Sequence, residues 1–177
     1  MMGNVTYSIF LAFCLFIVKM GCAQQDSQHP IAPEDSLQNL EEIVSQKSSE
    51  IIEYAKNFLG VPYVWGGMSP SGFDCSGFVN YVFKGFGFNL TRTSYGLAEL
   101  GKTVRLSEIK PGDLMFFSGR NRKETRVSHV ALVIENIDGI IKFIHSVEGG
   151  VRIDIFNNSS YYVPRYVKSK RMEYIGS

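Results

Sequence analysis

The chain has 177 residues, of which 45% are hydrophobic, 20% charged and 13% aromatic, a composition typical of globular proteins. It excludes a disordered, collagen-like or coiled-coil chain, and the length allows one domain with at most a short appendage. The formal net charge of +1 indicates neither a nucleic acid nor an acidic polymer as partner. Three cysteines in all exclude a disulfide scaffold.

The first residues have the layout of a secretory signal peptide. Residues 7–18 form an apolar run of 12, which is too short for a bilayer span of about 20 residues, and small residues follow it as far as Ala23. We therefore predict a signal peptide over residues 1–23 and an exported protein. A lipid anchor at Cys22 is the alternative, although Lys19 stands where a lipoprotein signal has an apolar residue.

Cleavage after residue 23 would leave 17 basic residues, 17 acidic residues and one cysteine, Cys75. A lone thiol cannot form an internal disulfide, so Cys75 is either a buried small side chain or a reactive group. Residues 24–36 are polar and include two prolines, which predicts a linker. The folded domain is then expected over residues 37–177.

The pattern of the domain changes from helical to strand-like along the chain. Apolar residues recur at helical spacing from Leu37, and Gly60 and Pro62 end that predicted helix. A loop and a short helix near Cys75 follow. Further on, strands are predicted over residues 114–117, 130–134, 140–144, 151–155 and 163–166, with hairpin signals at Asp138-Gly139 and Gly149-Gly150. This order predicts an α+β fold, with N-terminal helices packed on a five- to six-stranded, mostly antiparallel sheet.

Cys75 directly follows Asp74, a residue type that caps helix N-termini. Its thiol would then lie in the first helical turn, where unpaired backbone N–H groups and the helix dipole favour a thiolate. We therefore expect a lowered thiol pKa and a nucleophilic cysteine, with a structural cysteine as the alternative. Gly77 would let another segment or a substrate approach closely.

Two of the three histidines belong to predicted strands: His129 begins one and His145 ends the next. Antiparallel pairing through the Asp138-Gly139 turn would bring them together, with a bulge or longer loop absorbing their unequal distances from the turn. His129 could then take the proton of Cys75 while His145 orients the His129 ring. One alternative is that both histidines lie at the protein surface and have no catalytic role. Another is a zinc site formed by the cysteine and the two histidines, although short ligand spacings and a fourth ligand are missing.

Six segments, in this order, resemble the NlpC family of cell-wall cysteine peptidases, which is papain-like in fold. They are residues 60–67 (GVPYVWGG), 73–79 (FDCSGFV), 92–94 (RTS), 110–117 (KPGDLMFF), 128–131 (SHVA) and 144–145 (IH). The resemblance implies hydrolysis of bacterial peptidoglycan stem peptides, most often between γ-D-glutamate and the diamino acid in third place. It gives Cys75 the role of nucleophile, His129 that of base and His145 that of the residue orienting the base.

The resemblance also implies three substrate-binding residues. Tyr63 matches a tyrosine that lines the active site of the family near the thiol. In one subgroup, the residues that correspond to Asp74 and Ser76 hold the free amine of an N-terminal L-alanine, and SH3-like domains help to close the cleft. We expect this chain to lack such domains, so its cleft could accept longer or polymeric substrates.

The expected protein is therefore a monomeric cysteine peptidase of the bacterial periplasm or cell envelope. Its partner would be peptidoglycan or its stem peptides, without nucleic acid, without a cofactor or metal, and with membrane contact only through an anchor at Cys22. An N-acetylmuramoyl-L-alanine amidase or an acyltransferase on the same fold is the alternative. A non-catalytic wall-binding module is a further one.

Overall fold

In a computed structural model, residues 34–119 and 125–173 are described. The predicted signal peptide, most of the predicted linker and Cys22 lie outside these ranges. Helix α1 covers Glu34–Lys56, so it begins within the segment that was predicted to be a linker. Within the described ranges, no helix has the length and apolar character needed to cross a membrane.

Three helices and eight strands form the described part of the chain. The helices are α1, α2 (Cys75–Lys84) and α3 (Ser94–Leu97). The strands are β1 (Met68–Ser69), β2 (Gly72–Phe73), β3 (Lys102–Val104), β4 (Leu114–Ser118), β5 (Val127–Ile137), β6 (Ile140–Val147), β7 (Gly150–Ile155) and β8 (Tyr166–Arg171). Strands β1 and β2 form a small hairpin, and the other six form an antiparallel sheet in the order β3-β8-β4-β5-β6-β7. The predicted α+β fold is confirmed.

One strand prediction needs correction, and one strand was not predicted. The strand predicted over residues 163–166 is wrong, because Val163–Arg165 form a 3₁₀ turn and β8 begins at Tyr166. Pro164 explains the difference, since it has no N–H to donate to a strand ladder and suits the first turn of a helix. Strand β3 was missed, because three residues with two exposed side chains show no visible period.

Both faces of the sheet are covered by apolar side chains. Along β4, Leu114 and Phe116 belong to the cluster that α1 and α2 share, whereas Met115 and Phe117 belong to a second cluster. Alternate side chains of a strand point to opposite faces, so the two clusters lie on opposite sides of the sheet. A sheet buried on both sides has a fixed register, because a slip by one residue would exchange the two sets of side chains.

The hairpin of β5 and β6 determines where the two histidines lie. Asp138 and Gly139 have φ values of +50° and +78°, as a two-residue type I′ turn requires. The register shifts between Val133 and Glu135, so a bulge, one of the two predicted alternatives, is present and the longer loop is not. Both strands are longer than expected, so His129 lies two residues inside β5 and His145 two residues before the end of β6.

Candidate active site

The N-terminus of α2 presents Cys75. Asp74 is the N-cap, and its Oδ1 accepts a hydrogen bond of 2.7 Å from the Gly77 N–H. Cys75 Sγ lies 4.0 Å from the carbonyl oxygen of Ser128, so the thiol lies against the start of β5. Cys75 and His129 line one cleft of about 680 Å³.

Gly77 is required by the packing of the loop in front of α2. A Cβ at this position would overlap the carbonyl oxygen of Gly67, so two backbones meet without a side chain between them. Gly67 also accepts a hydrogen bond of 3.0 Å from the Asp74 N–H. The close approach that was expected at Gly77 is thus made by the protein's own loop.

The expected lowering of the Cys75 pKa is wrong: burial raises the pKa of this thiol. A hydrogen bond from Val130 N–H favours the thiolate, whereas the charge of Asp74 disfavours it. The helix N-terminus was visible in the sequence, but the removal of the sulfur from water depends on packing across the cleft. The resting thiol is therefore neutral at physiological pH.

We expect iodoacetamide to alkylate Cys75 slowly near neutral pH and faster above about pH 9. Only the thiolate reacts, and it accumulates only as the pH approaches a pKa above the ordinary value of about 8.5. The rate is measured between about pH 5 and pH 10 by mass spectrometry of the peptide that contains Cys75, with glutathione as an unshifted control. A plateau already reached at about pH 6 would instead indicate a thiolate–imidazolium pair.

His129, His145 and Asp154 form a hydrogen-bonded series leading away from the cleft. His129 Nε2 lies 2.8 Å from His145 Nδ1, and His145 Nε2 lies 3.0 Å from Asp154 Oδ2. Tyr162 Oη and Arg152 Nε also donate to Asp154 Oδ2, at 2.7 and 3.0 Å. The side chain of Asp154 is thus fixed by three donors.

These contacts determine which ring nitrogens carry protons. The hydrogen bond from His145 holds the pKa of Asp154 far below its usual range, so its carboxylate can only accept. His145 therefore carries its proton on Nε2 and accepts at Nδ1 from the Nε2–H of His129. Burial lowers the pKa of His129 to about 3 and also lowers that of His145. His129 is neutral, and its Nδ1 has a free lone pair.

Asp154 was not predicted to be a site residue, although its position next to His145 could have been derived from the sequence. In the tight β6–β7 hairpin, His145 is paired with Arg152 and Phe143 with Asp154. Residues 143 and 145 share a face, and so do 152 and 154, so Asp154 is a diagonal neighbour of His145. Counting outward from the glycine-containing turn at residues 148–149 would have given this register.

Asp74 and Ser76 lie in the cleft as expected, but Arg92 occupies their polar atoms. Arg92 donates from Nη1 to Asp74 Oδ1 at 3.0 Å, from Nη2 to Oδ2 at 2.5 Å, and from Nη1 to Ser76 Oγ at 2.9 Å. The N–H groups of Gly66 and Gly77 bind the same carboxylate. Although burial alone would raise it, these bonds lower the pKa of Asp74. Arg92 had no role assigned from the sequence.

Aromatic side chains complete the cleft. Tyr63 lines it, and burial raises the pKa of its hydroxyl. Trp65 and Tyr95 also line the cleft, with 87% and 57% of their surfaces exposed.

Within residues 34–119 and 125–173, no group of three or more His, Cys, Asp or Glu is arranged to hold a metal ion.

Comparison with known sequences gives one family. The sequence model of the NlpC/P60 family matches residues 60–171. The gamma-D-glutamyl-L-lysine dipeptidyl-peptidase of Bacillus subtilis (strain 168) is 41% identical over 108 residues, which are 61% of this chain and 35% of that protein. The murein DD-endopeptidase MepS/murein LD-carboxypeptidase of Escherichia coli (strain K12) is 36% identical over 143 residues, 80% of this chain and 71% of that protein.

Solved structures give the same result. An NlpC/P60 family protein from Bacillus cereus has a TM-score of 0.62 and 36% identity, over 70% of this chain and 39% of that one. A Staphylococcus aureus protein described as similar to lipoprotein, of the NLP/P60 family, has a TM-score of 0.60 and 29% identity, over 71% and 41%. The chain spans about a third of the length of the curated Bacillus relatives.

Proposed function

Because the chain belongs to the NlpC/P60 family, we propose that it is an exported cysteine peptidase of the bacterial cell envelope. Its substrate is a peptidoglycan stem peptide, and the bond it hydrolyses joins γ-D-glutamate to the diamino acid in third place. The observation that carries the proposal is a thiol at a helix N-terminus that shares a cleft with His129, whose far nitrogen is bound by His145. Export depends on the predicted signal peptide over residues 1–23.

In this proposal Cys75 is the nucleophile and His129 the base. The neutral thiol transfers its proton to Nδ1 of His129 as sulfur attacks the carbonyl carbon. The N–H of Cys75, in the first turn of α2, stabilises the oxyanion together with the helix dipole. His129 then gives the proton to the leaving amine, and a water molecule activated by the same ring hydrolyses the acyl-enzyme.

A second candidate is cleavage within crosslinked peptidoglycan rather than of free stem peptides. Asp74 already accepts hydrogen bonds from Arg92, Gly66 and Gly77, and a carboxylate has about four acceptor positions. A substrate ammonium would have to share or displace Arg92, which disfavours a strong requirement for a free L-alanine amine. The relative whose length is matched best among those described is named a murein DD-endopeptidase.

Product analysis separates these candidates. The protein is incubated with L-Ala-γ-D-Glu-diaminopimelate and, separately, with intact peptidoglycan, and the products are identified by mass spectrometry. Release of L-Ala-γ-D-Glu from the tripeptide would support the proposed bond and a role of Tyr63, Asp74 and Ser76 in binding free peptides. Cleavage within the stem peptides of peptidoglycan, without cleavage of the tripeptide, would support the second candidate. Release of intact stem peptides with a free N-terminal L-alanine, which leaves the lactyl group on the sugar, would indicate the amidase alternative, and no product from either substrate would refute the peptidase assignment.

A further inference from the structure

Arg165 is a buried cation without a carboxylate partner among the described residues. Only 8% of its surface is exposed, and its Nε, which is fully enclosed, has no hydrogen-bond partner there. Nη1 donates to the carbonyl oxygen of Tyr161 at 2.7 Å, and the guanidinium lies 4.0 Å from the centroid of the Tyr161 ring. By contrast, Arg92, Arg152 and Arg171 each pair with an aspartate.

A buried guanidinium keeps its charge, and burying a charge without a counter-charge is costly. One peptide carbonyl and one aromatic face compensate for only part of this cost. The enclosed Nε adds to this cost, because no acceptor within the described residues satisfies it and none can reach it from the cavity. A carboxylate that binds the part of the guanidinium that lines the cavity would supply the missing counter-charge.

Arg165 lines a cavity of about 190 Å³ that adjoins the active-site cleft. The cavity and the cleft share Gly119, Ser128 and His129. Cys75 and Asp74 line the cleft but not the cavity. The cavity therefore lies beyond His129, on the side away from the helix that carries the thiol.

Because the cavity adjoins His129, the role of His129 in the reaction indicates which part of a substrate would enter the cavity. In the proposed reaction, His129 gives its proton to the leaving amine, so the amino acid that carries this amine lies next to His129. In the tripeptide the third residue is C-terminal, so a free carboxylate is attached to the same carbon as that amine. The cavity of about 190 Å³ next to His129 is where this carboxylate would reach Arg165.

We propose that Arg165 binds a carboxylate of the leaving amino acid in this cavity. This inference rests on the proposed function for the identity of the substrate. It adds a second recognition point, on the opposite side of the scissile bond from Asp74 and Arg92. Selectivity for the leaving residue would then depend on its charge.

The test compares Arg165→Gln and Arg165→Lys with the parent on two substrates. One is L-Ala-γ-D-Glu-diaminopimelate, and the other carries carboxamides in place of the carboxyl groups of the third residue. We expect the parent to favour the carboxylate form by about tenfold or more in kcat/KM, because hydrogen bonds to charged groups are stronger than neutral ones. Arg165→Gln should remove this preference, because it should lose more activity on the carboxylate form than on the carboxamide form, and Arg165→Lys should keep part of the preference.

The control is Arg105→Gln, which removes an exposed arginine whose partner is Glu108. Thermal melting establishes whether Arg165→Gln is folded. If it is not, the carboxylate preference of Arg165→Lys, which keeps the charge, provides the test. An equal loss on both substrates, or a parent without preference, would overturn the proposal. Calorimetry of both peptides with Cys75→Ala measures the same preference without hydrolysis, so a parent that cleaves neither peptide would refute the proposed function and still leave Arg165 tested.

Discussion

Replacing Cys75 with alanine is expected to lower kcat/KM for peptide hydrolysis by about 10⁴-fold or more. The proposed acyl-enzyme requires a sulfur atom at the start of α2, and among the described residues that line the cleft Cys75 alone carries a thiol. Release of the dipeptide is measured by mass spectrometry under single-turnover conditions. In the parent, the same experiment should detect a covalent adduct on the peptide that contains Cys75.

Two measurements show whether a loss of activity in Cys75→Ala comes from the missing sulfur atom or from a change in folding or binding. The melting temperature of Cys75→Ala should match that of the parent, because the cap at Asp74 and its bonds to Arg92 do not involve the sulfur atom. Calorimetry should also show that the variant still binds the peptide. Hydrolysis that persists in Cys75→Ala would contradict the mechanism, since the bond would then be broken without the thiol.

Replacing Asp154 is expected to lower kcat by about 10- to 100-fold while KM changes little. Asp154 does not line the cleft, so it cannot contact substrate there. It acts through His145, whose proton it holds on Nε2, and hence determines which nitrogen of His129 is free to accept the thiol proton. We therefore expect Asp154 to be a positioning residue.

Two variants separate charge from hydrogen bonding. In Asp154→Asn, the donors Tyr162 and Arg152 should keep an oxygen facing His145, so the tautomer is retained and only the charge is lost. In Asp154→Ala, the charge and the hydrogen bond to His145 are both lost, so kcat should fall from the parent to Asp154→Asn and further to Asp154→Ala.

The negative charge of Asp154 raises the pKa of His129. Its removal should therefore shift the acidic limb of the kcat profile further toward low pH.

Nitrogen NMR of labelled histidine gives a readout that a purely structural role would not change. The parent should show both imidazoles neutral and protonated on Nε2, and Asp154→Ala should show a mixture of tautomers. Asp138→Asn is the matched control, since asparagine also suits the positive φ of that turn. Unchanged tautomers and an unchanged kcat in Asp154→Ala would refute the positioning role.

Local sequence signals were enough to predict the helix start, the histidine hairpin and the fold class. An Asp before a Cys indicates a cap, and Asp138-Gly139 indicates a two-residue turn, because both depend on neighbouring residues alone. The raised pKa of Cys75 could not be predicted in this way. It results from burial by segments distant in the chain, and the cap that was visible in the sequence argues for the opposite shift.

The role of Arg92 shows a second limit. Arg92 and Asp74 are 18 residues apart, and a mixed segment without clear periodicity lies between α2 and α3. Two groups of opposite charge at such a separation indicate nothing until the path of the chain is known. Asp154 differs, because a tight hairpin joins its strand to that of His145. Its position followed from the register, whereas that of Arg92 required the tertiary structure.

The contact between Gly67 and Gly77 has a consequence for adapting this protein to new substrates. The loop and the helix touch through their backbones, so a change that moves one would displace the other and, with it, the sulfur atom. A library of variants should therefore leave this contact alone and vary Trp65 and Tyr95, whose exposed side chains can be exchanged without repacking the interior. Substrate range could then be changed without loss of the bond-breaking chemistry. The chemistry depends on the backbone contact between Gly67 and Gly77, whereas substrate range would depend on the exposed side chains of Trp65 and Tyr95.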